Sequence, residues 1–348
     1  MEEKKGLIEL PTVRKAYLFE KTYGTKTVRC ILCEQRCEIE EGKSGKCGTR
    51  INIDGELQTM TYGDIVCCES RPVEIKPFFH FHPGKTLLTF CCPSCNLSCP
   101  WCQNHTLSRA KPRPLKARHV PISELLESAT NSEDIGFCAS FTEPTLLLEY
   151  CLGLFREAKA KGLVNTFVSN GYMTSEALHM LKRAGLDAIN IDIKGSDAVY
   201  REYCGGKKGD EPPWRNIKDA IEMGIHVEVT HLVVTGLNDN ENSIIEIVKK
   251  HLEFAGPKTP LHFTAYRPAH KYDAPPTHVS ILEHAYEIAK KEGILFPYVG
   301  NVSGHKYENT YCPECGKLLL ERSGFTLSRN NTSDWKCPDC GYALPVVT

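Results

Sequence analysis

Three cysteines, Cys95, Cys99 and Cys102, stand in the spacing C-x3-C-x2-C within the run CCPSCNLSCPWCQN, residues 91–104. An iron–sulfur cube is ordinarily held by four thiolates. Three close thiolates with no fixed fourth leave one iron open, and an open metal position marks a reacting site rather than a structural one. Asn96, Leu97, Ser98, Pro100 and Trp101 make a poor continuous helix. The run therefore reads as a loop whose backbone N–H groups wrap around cluster sulfurs. The competing readings are a zinc knuckle and three buried free thiols.

Two further cysteine groups flank this one. Cys30, Cys33, Cys37 and Cys47 give C-x2-C-x3-C-x9-C, with Gly42, Gly45 and Gly48 supplying tight turns. Four thiolates suit a closed tetrahedral zinc site or an auxiliary iron–sulfur cluster, and the spacing does not separate the two. Cys312 and Cys315 (CPEC) stand 21 residues ahead of Cys337 and Cys340 (CPDC), the pattern of a zinc ribbon. So short a tail buries little core alone, so its metal is expected to supply its folding energy, and loss of that metal to affect the tail only. The adjacent Cys91 and Cys92 are an alternative cluster ligand or a redox pair.

A frame must hold these loops. The chain has 348 residues, 18 cysteines and a net charge of −1, so no global basic field recruits nucleic acid or anionic membrane. Cysteines clumped in C-x2-C units favour metal over disulfides. No apolar run approaches the roughly 20 residues of a membrane span. The start, MEEKKGLIELPTVRK, carries no signal-like apolar core. A cytoplasmic location is expected. Apolar strand-like stretches occur at 86–90, 135–140, 165–169, 188–193, 225–234, 261–265 and 295–299. Helical periodicity lies between them at 145–161, 175–184, 242–254 and 279–291, and three of these close at Gly162, Gly185 and Gly293. The β–α alternation predicts an α/β fold with a parallel sheet and outer helices, its chemistry at the carboxyl ends of the strands. Three segments follow: 1–84, a cysteine-rich metal-binding module and linker; 85–303, the barrel; and 304–348, the ribbon tail.

The strand ends carry polar residues. FTEPT (141–145) follows the second strand, and Pro144 also fits a simple strand-to-helix turn. SNGY (169–172) follows the third. In IDIKG, Asp192 and Lys194 share one face of the fourth strand, which fits either a ligand site or a buried ion pair. In HVEVTHLVV, His226, Glu228 and Thr230 share a face, which needs a polar cavity. His262, Tyr266, Arg267, His270, Lys271 and Asn301 come later, the last near the mouth.

C-x3-C-x2-C with an aromatic residue before the last cysteine resembles the radical S-adenosylmethionine (SAM) superfamily. PVEIKPFFHFHPG, CNLSCPWCQN, FTEPT, GLND, PPTHVSILEHA and YVGNVSGHKYENTYCPECG resemble more narrowly the AmmeMemoRadiSam system radical SAM enzymes. That group is similar to pyruvate formate-lyase activating enzymes. The resemblance implies a partial (β/α)6 TIM-like barrel and a [4Fe–4S] cluster on Cys95, Cys99 and Cys102, its fourth iron chelated by SAM. The radical from reductive cleavage of SAM would then abstract hydrogen from an unidentified substrate, for which a protein is one candidate. The resemblance implies SAM contacts from Thr142, Glu143, Ser169, Asn170, Asp192, Lys194, Thr230 and His262. It also implies an external electron donor such as ferredoxin or flavodoxin, and AMMECR1-like and Memo-like proteins as co-workers or substrates. Three alternatives stand beside it: a glycyl-radical activating enzyme, a zinc-dependent nucleic-acid or protein docking module, and an electron-transfer ferredoxin.

Overall fold

The computed structural model describes residues 6–348. The apolar stretches pair side by side in one eight-stranded sheet. β1 (Cys67–Pro72) is the antiparallel edge. β2 (Thr86–Cys91), β3 (Gly136–Ala139), β4 (Val164–Ser169), β5 (Ala188–Ile193), β6 (His226–Val233), β7 (Leu261–Ala265) and β8 (Pro297–Gly300) follow in parallel and in chain order. All seven expected stretches form strands. β1 and β8 are the two edges, so the sheet stays open.

Six helices make the crossovers. They are α1 (Ile122–Asn131), α2 (Leu148–Ala160), α3 (Ser175–Ala184), α4 (Glu211–Glu222), α5 (Glu241–Phe254) and α6 (Val279–Glu292). Local chemistry fixes several ends. The Thr174 hydroxyl accepts from Ala177 N at the start of α3, and Gly185 takes the left-handed conformation at its close, with φ +109°. Asn240 caps α5 in the same way through Ser243 N. α4 begins EPPWR, its prolines in the first turn, where the missing N–H groups cost nothing.

Strand alternation divides the sheet into two faces. Phe167, Ile189, Val229 and Phe263 point out and share one core with Phe155 and Leu181 of the helices. Asn190, Thr230 and Thr264 point in and line a cavity. The parallel sheet is thus apolar on the covered side and polar within.

The loop 73–84 closes the floor of the barrel. Its Phe79 and His80 N–H groups donate to the buried Glu228 carboxylate at 3.0 and 2.7 Å. The Asn190 amide donates to Pro77 O at 2.8 Å. The C-terminal tail seats beneath this loop. The buried Arg322 guanidinium donates to Phe79 O at 2.9 Å and lies 4.0 Å from the Phe79 ring centroid. His82 N donates to Val347 O, and Val347 N to His80 O. Leu319 and Leu320 share a core with Phe79, Phe296 and Tyr298. This differs from the expectation of a tail whose loss leaves the rest untouched. The tail lacks volume for a core of its own and completes one with the barrel floor.

The N-terminal module carries two small antiparallel sheets. It docks through a bridge between Cys33 and Met173 and through a buried Arg50–Glu149 ion pair of 2.8 Å.

Candidate functional site

The cysteine loop leaves β2 at the carboxyl edge of the sheet. Leu97 and Trp101 are buried against Tyr172, Tyr200 and Tyr266 and pin the loop down. Each such burial contributes about 1.5–3 kcal/mol. Asn170 steadies the other side: its amide donates to Asn96 Oδ1 at 2.8 Å and lies 3.6 Å from Cys95 Sγ. Cys95, Cys99 and Cys102 all line one cavity of about 530 Å³, within the usual size of a small-molecule site. Burial pushes the Cys95 thiol up to about 12. A thiolate there needs a positive partner, which a metal provides as it displaces the proton.

Cys204 joins the site from outside the cysteine motif. Its sulfur lies 3.4 Å from Cys99 Sγ, at the end of a wide turn following β5. Its carbonyl accepts from Ser98 N and Oγ. The hydrogen bond between the two sulfurs lowers the Cys99 pKa, and Lys194 adds to that, while Cys204 itself is raised. Cys204 stands over a hundred residues from the motif, so no spacing signals it.

Of the eight residues expected to contact SAM, six line the cavity: Thr142, Ser169, Asn170, Asp192, Lys194 and Thr230. Asp192 and Lys194 form an ion pair of 2.5 Å. Burial works against the Lys194 ammonium, but Asp192 and the Cys99 sulfur outweigh it and its pKa is raised. Three buried atoms on this wall have no protein partner: Asp192 Oδ1, Thr230 Oγ1 and Asn190 Oδ1. They offer acceptors to an amine, an adenine or ribose hydroxyls. The donor set therefore fits SAM. Asn190 follows from the same alternation that marks Asp192 but was not singled out. Lys76 also lines the cavity from the floor loop, its pKa lowered by burial. No sequence signal places it there.

Glu143 and His262 do not line the cavity. Glu143 is fully buried beneath it. Its carboxylate accepts from Thr145 N and Oγ1, from Ser169 Oγ at 2.8 Å and from Asn170 N at 2.9 Å. It ties the ends of β3 and β4 together. Burial raises its pKa, and those donors oppose the rise. His262 Nε2 donates to the Glu228 carboxylate at 2.7 Å and the ring stacks on Tyr298 below the cavity. Burial alone would raise Glu228, yet His226 and His262 hold it well below the usual carboxylate range.

Backbone strain sits between β3 and α2. Phe141 adopts φ +61°, a conformation that favours glycine. Asn104 Nδ2 donates to its carbonyl at 2.7 Å, and the Lys76 ammonium lies 4.0 Å from its ring centroid. These contacts hold the turn without a glycine. At the mouth, Asn301 lines the cavity and anchors to Ala265 O at 3.0 Å. A second recess of about 390 Å³ adjoins it, lined by Tyr266, Arg267 and Phe325. His270 stacks on His105 at 4.8 Å, outside both cavities.

The tail cysteines Cys312, Cys315, Cys337 and Cys340 bring their sulfurs within 4.8 Å of one another, close enough to share one metal ion. Cys30, Cys33, Cys37 and Cys47 surround a separate recess beside the cysteine loop. Cys91 pairs across from Cys67 in the sheet, and Cys92 is buried in the barrel core.

Residues 90–251 match the family model described as the Radical SAM superfamily. An uncharacterized protein of Methanocaldococcus jannaschii is 38% identical over 338 residues, 96% of this chain and 100% of that protein. The mitochondrial GTP 3′,8-cyclase of Arabidopsis thaliana is 30% identical over 152 residues, 42% of this chain and 38% of that protein. The match to the cyclase thus spans well under half of its length. A solved domain of the pyruvate-formate lyase-activating enzyme from Bacteroides vulgatus aligns at 17% identity with a TM-score of 0.40, covering 47% of this chain and 98% of that domain. Among the described residues, no helix is long and apolar enough to cross a membrane.

Proposed function

We propose that this chain, whose residues 90–251 match the Radical SAM superfamily model, acts as an enzyme of that superfamily, holding a [4Fe–4S] cluster on Cys95, Cys99 and Cys102 and binding SAM beside it. The observation that carries this reading is the shared cavity: three cysteine sulfurs at one end, and the unmet atoms of Asn190, Asp192 and Thr230 along the wall. When bound, the cluster and SAM supply a hydrogen-abstracting radical.

The chain's own part is to bind, orient and exclude water. Asp192 and Asn190 take hydroxyl or amine donors. Lys194, held by Asp192, offers its ammonium to a carboxylate. Thr142 lines the site, its hydroxyl bonded to Cys92 O at 2.8 Å. Ser169 and Asn170 are positioned from below by Glu143. His262 acts through Glu228, which fixes the floor. The substrate is approached from the recess of about 390 Å³ beside Arg267.

The finer reading is membership of the AmmeMemoRadiSam system, supported by the sequence signatures. It brings AMMECR1-like and Memo-like proteins as partners or substrates, ferredoxin or flavodoxin as electron donor, and a cytoplasmic location. Zinc is the proposed metal of the tail. Two sulfur pairs there stand 3.4 and 3.5 Å apart, near the about 3.8 Å of a zinc tetrahedron with 2.3 Å bonds.

Anaerobic reconstitution tests the reading. Cys99→Ala is expected to abolish the SAM-responsive electron paramagnetic resonance (EPR) signal and the release of 5′-deoxyadenosine, with tail metal retained. Continued SAM cleavage by that variant refutes it.

A further inference from the structure

Cys30, Cys33, Cys37 and Cys47 converge on one recess that is also lined by Arg50 and Asn96. Sequence spacing leaves zinc and an iron–sulfur cluster open. A zinc ion with bonds of about 2.3 Å draws four thiolates to about 3.8 Å from one another. Among the described residues, only the tail cysteines gather within 4.8 Å of one another. Among the described residues, the N-terminal four line their recess without gathering so closely. A cube, which takes one thiolate on each iron, holds its thiolates farther apart than a single zinc ion does.

A second observation points the same way. Arg50 and Asn96 are each 1% exposed, and Arg50 Nε and Nη1 and Asn96 Nδ2 have no protein acceptor. The third Arg50 nitrogen is bound to Glu149. Buried N–H groups without acceptors are costly. A cube supplies inorganic sulfides as well as thiolates to receive them, and the guanidinium offsets its negative charge.

The recess adjoins the cysteine loop. Asn96 borders it while its Oδ1 lies 3.7 Å from Cys95 Sγ. Ser94 donates to Cys47 O at 2.5 Å. On the outer side Cys37 and Cys47 are partly exposed, with Lys46 beside them.

We propose that Cys30, Cys33, Cys37 and Cys47 hold a second [4Fe–4S] cluster that passes electrons inward past Asn96 to the first. A reduced flavin or iron–sulfur protein gives up one electron, the second cluster accepts it, and returns to its oxidised form as the first is reduced. The relay rests on the function proposed above; the second cluster does not.

The test uses the full chain purified under argon, with iron, sulfide and zinc counted. In the triple variant Cys95→Ala, Cys99→Ala, Cys102→Ala, about four irons per chain are expected to remain, with a dithionite-reduced EPR signal that SAM does not alter. Adding Arg50→Gln to that variant shifts the signal. A triple variant with no iron and a second zinc overturns the proposal, as does a signal unmoved by Arg50→Gln. Replacing the N-terminal four by Ser is expected to keep the SAM-responsive signal. It loses most SAM cleavage driven by flavodoxin and keeps cleavage driven by dithionite. Equal loss with both reductants overturns the relay. A triple variant with the same iron as the parent, and a parent without SAM response, refutes the first cluster while leaving the second standing.

Discussion

Replacement of Glu143 by Gln separates a residue that touches SAM from one that positions its neighbours. Oε1 of Glu143 accepts from Thr145 N at 3.0 Å, Thr145 Oγ1 and Ser169 Oγ, and a glutamine carbonyl preserves these. Oε2 accepts only from Asn170 N. In Glu143→Gln an NH2 group faces that N–H, so both are left buried without acceptors. At about 1–3 kcal/mol for each of the two unmet buried groups, the loss is about 2–6 kcal/mol. At roughly 2–4 °C per kcal/mol, the melting temperature falls by about 4–24 °C. Asn170 also holds the Cys95 end of the cysteine loop, so iron content falls with it. SAM affinity of the loaded fraction falls less than stability does, because Ser169 and Asn170 keep their place in the wall while losing part of their support. Thermal unfolding by circular dichroism, iron analysis and calorimetric SAM titration read the three effects. An unchanged melting temperature with lost SAM affinity would show that Glu143 touches the nucleotide and refute the positioning role.

Asp192→Asn leaves the Lys194 ammonium beside the cavity without its carboxylate, at a cost of about 1–3 kcal/mol once partial exposure is allowed for. SAM binding is expected to weaken more than stability does; calorimetry showing full affinity contradicts the assignment. Cys337→Ser is expected to speed hydrogen exchange at residues 78–82, because Arg322 and Val347 hold that loop. Unchanged exchange there means the tail is separable after all. Acid should loosen the N-terminal module. Burial alone would raise Glu34, but Arg36, Lys208 and Arg215 bring it down to about 2. Its contribution is full above the unfolded value near 4.5 and is lost as pH falls toward 2. Limited proteolysis between pH 5 and 3 is expected to cut near residues 34–36 at the lower pH in the parent, and already at pH 5 in Glu34→Gln.

The sequence alone determined the elements. The seven strands follow from apolar runs of the right length, and α3, α5 and α6 from helical period closed by local caps such as Thr174 and Gly185, whose effects act within a few residues. The cysteine loop was equally legible, because its three sulfurs lie close in the chain. α1 and α4 lie outside the stretches whose helical period predicts a helix. Alternation marked the inward face of β5 and β6, yet it could not say which height on that face meets the cavity. Asn190, Asp192 and Thr230 reach it, whereas Glu228 and His262 are absorbed by the floor, because the loop 73–84 plugs the barrel from below. That plug, the seat of the tail on it, the approach of Cys204 to Cys99 and the pairing of Arg50 with Glu149 join residues tens to hundreds of positions apart. Such contacts are set by packing of the whole chain, and no local period or spacing records them.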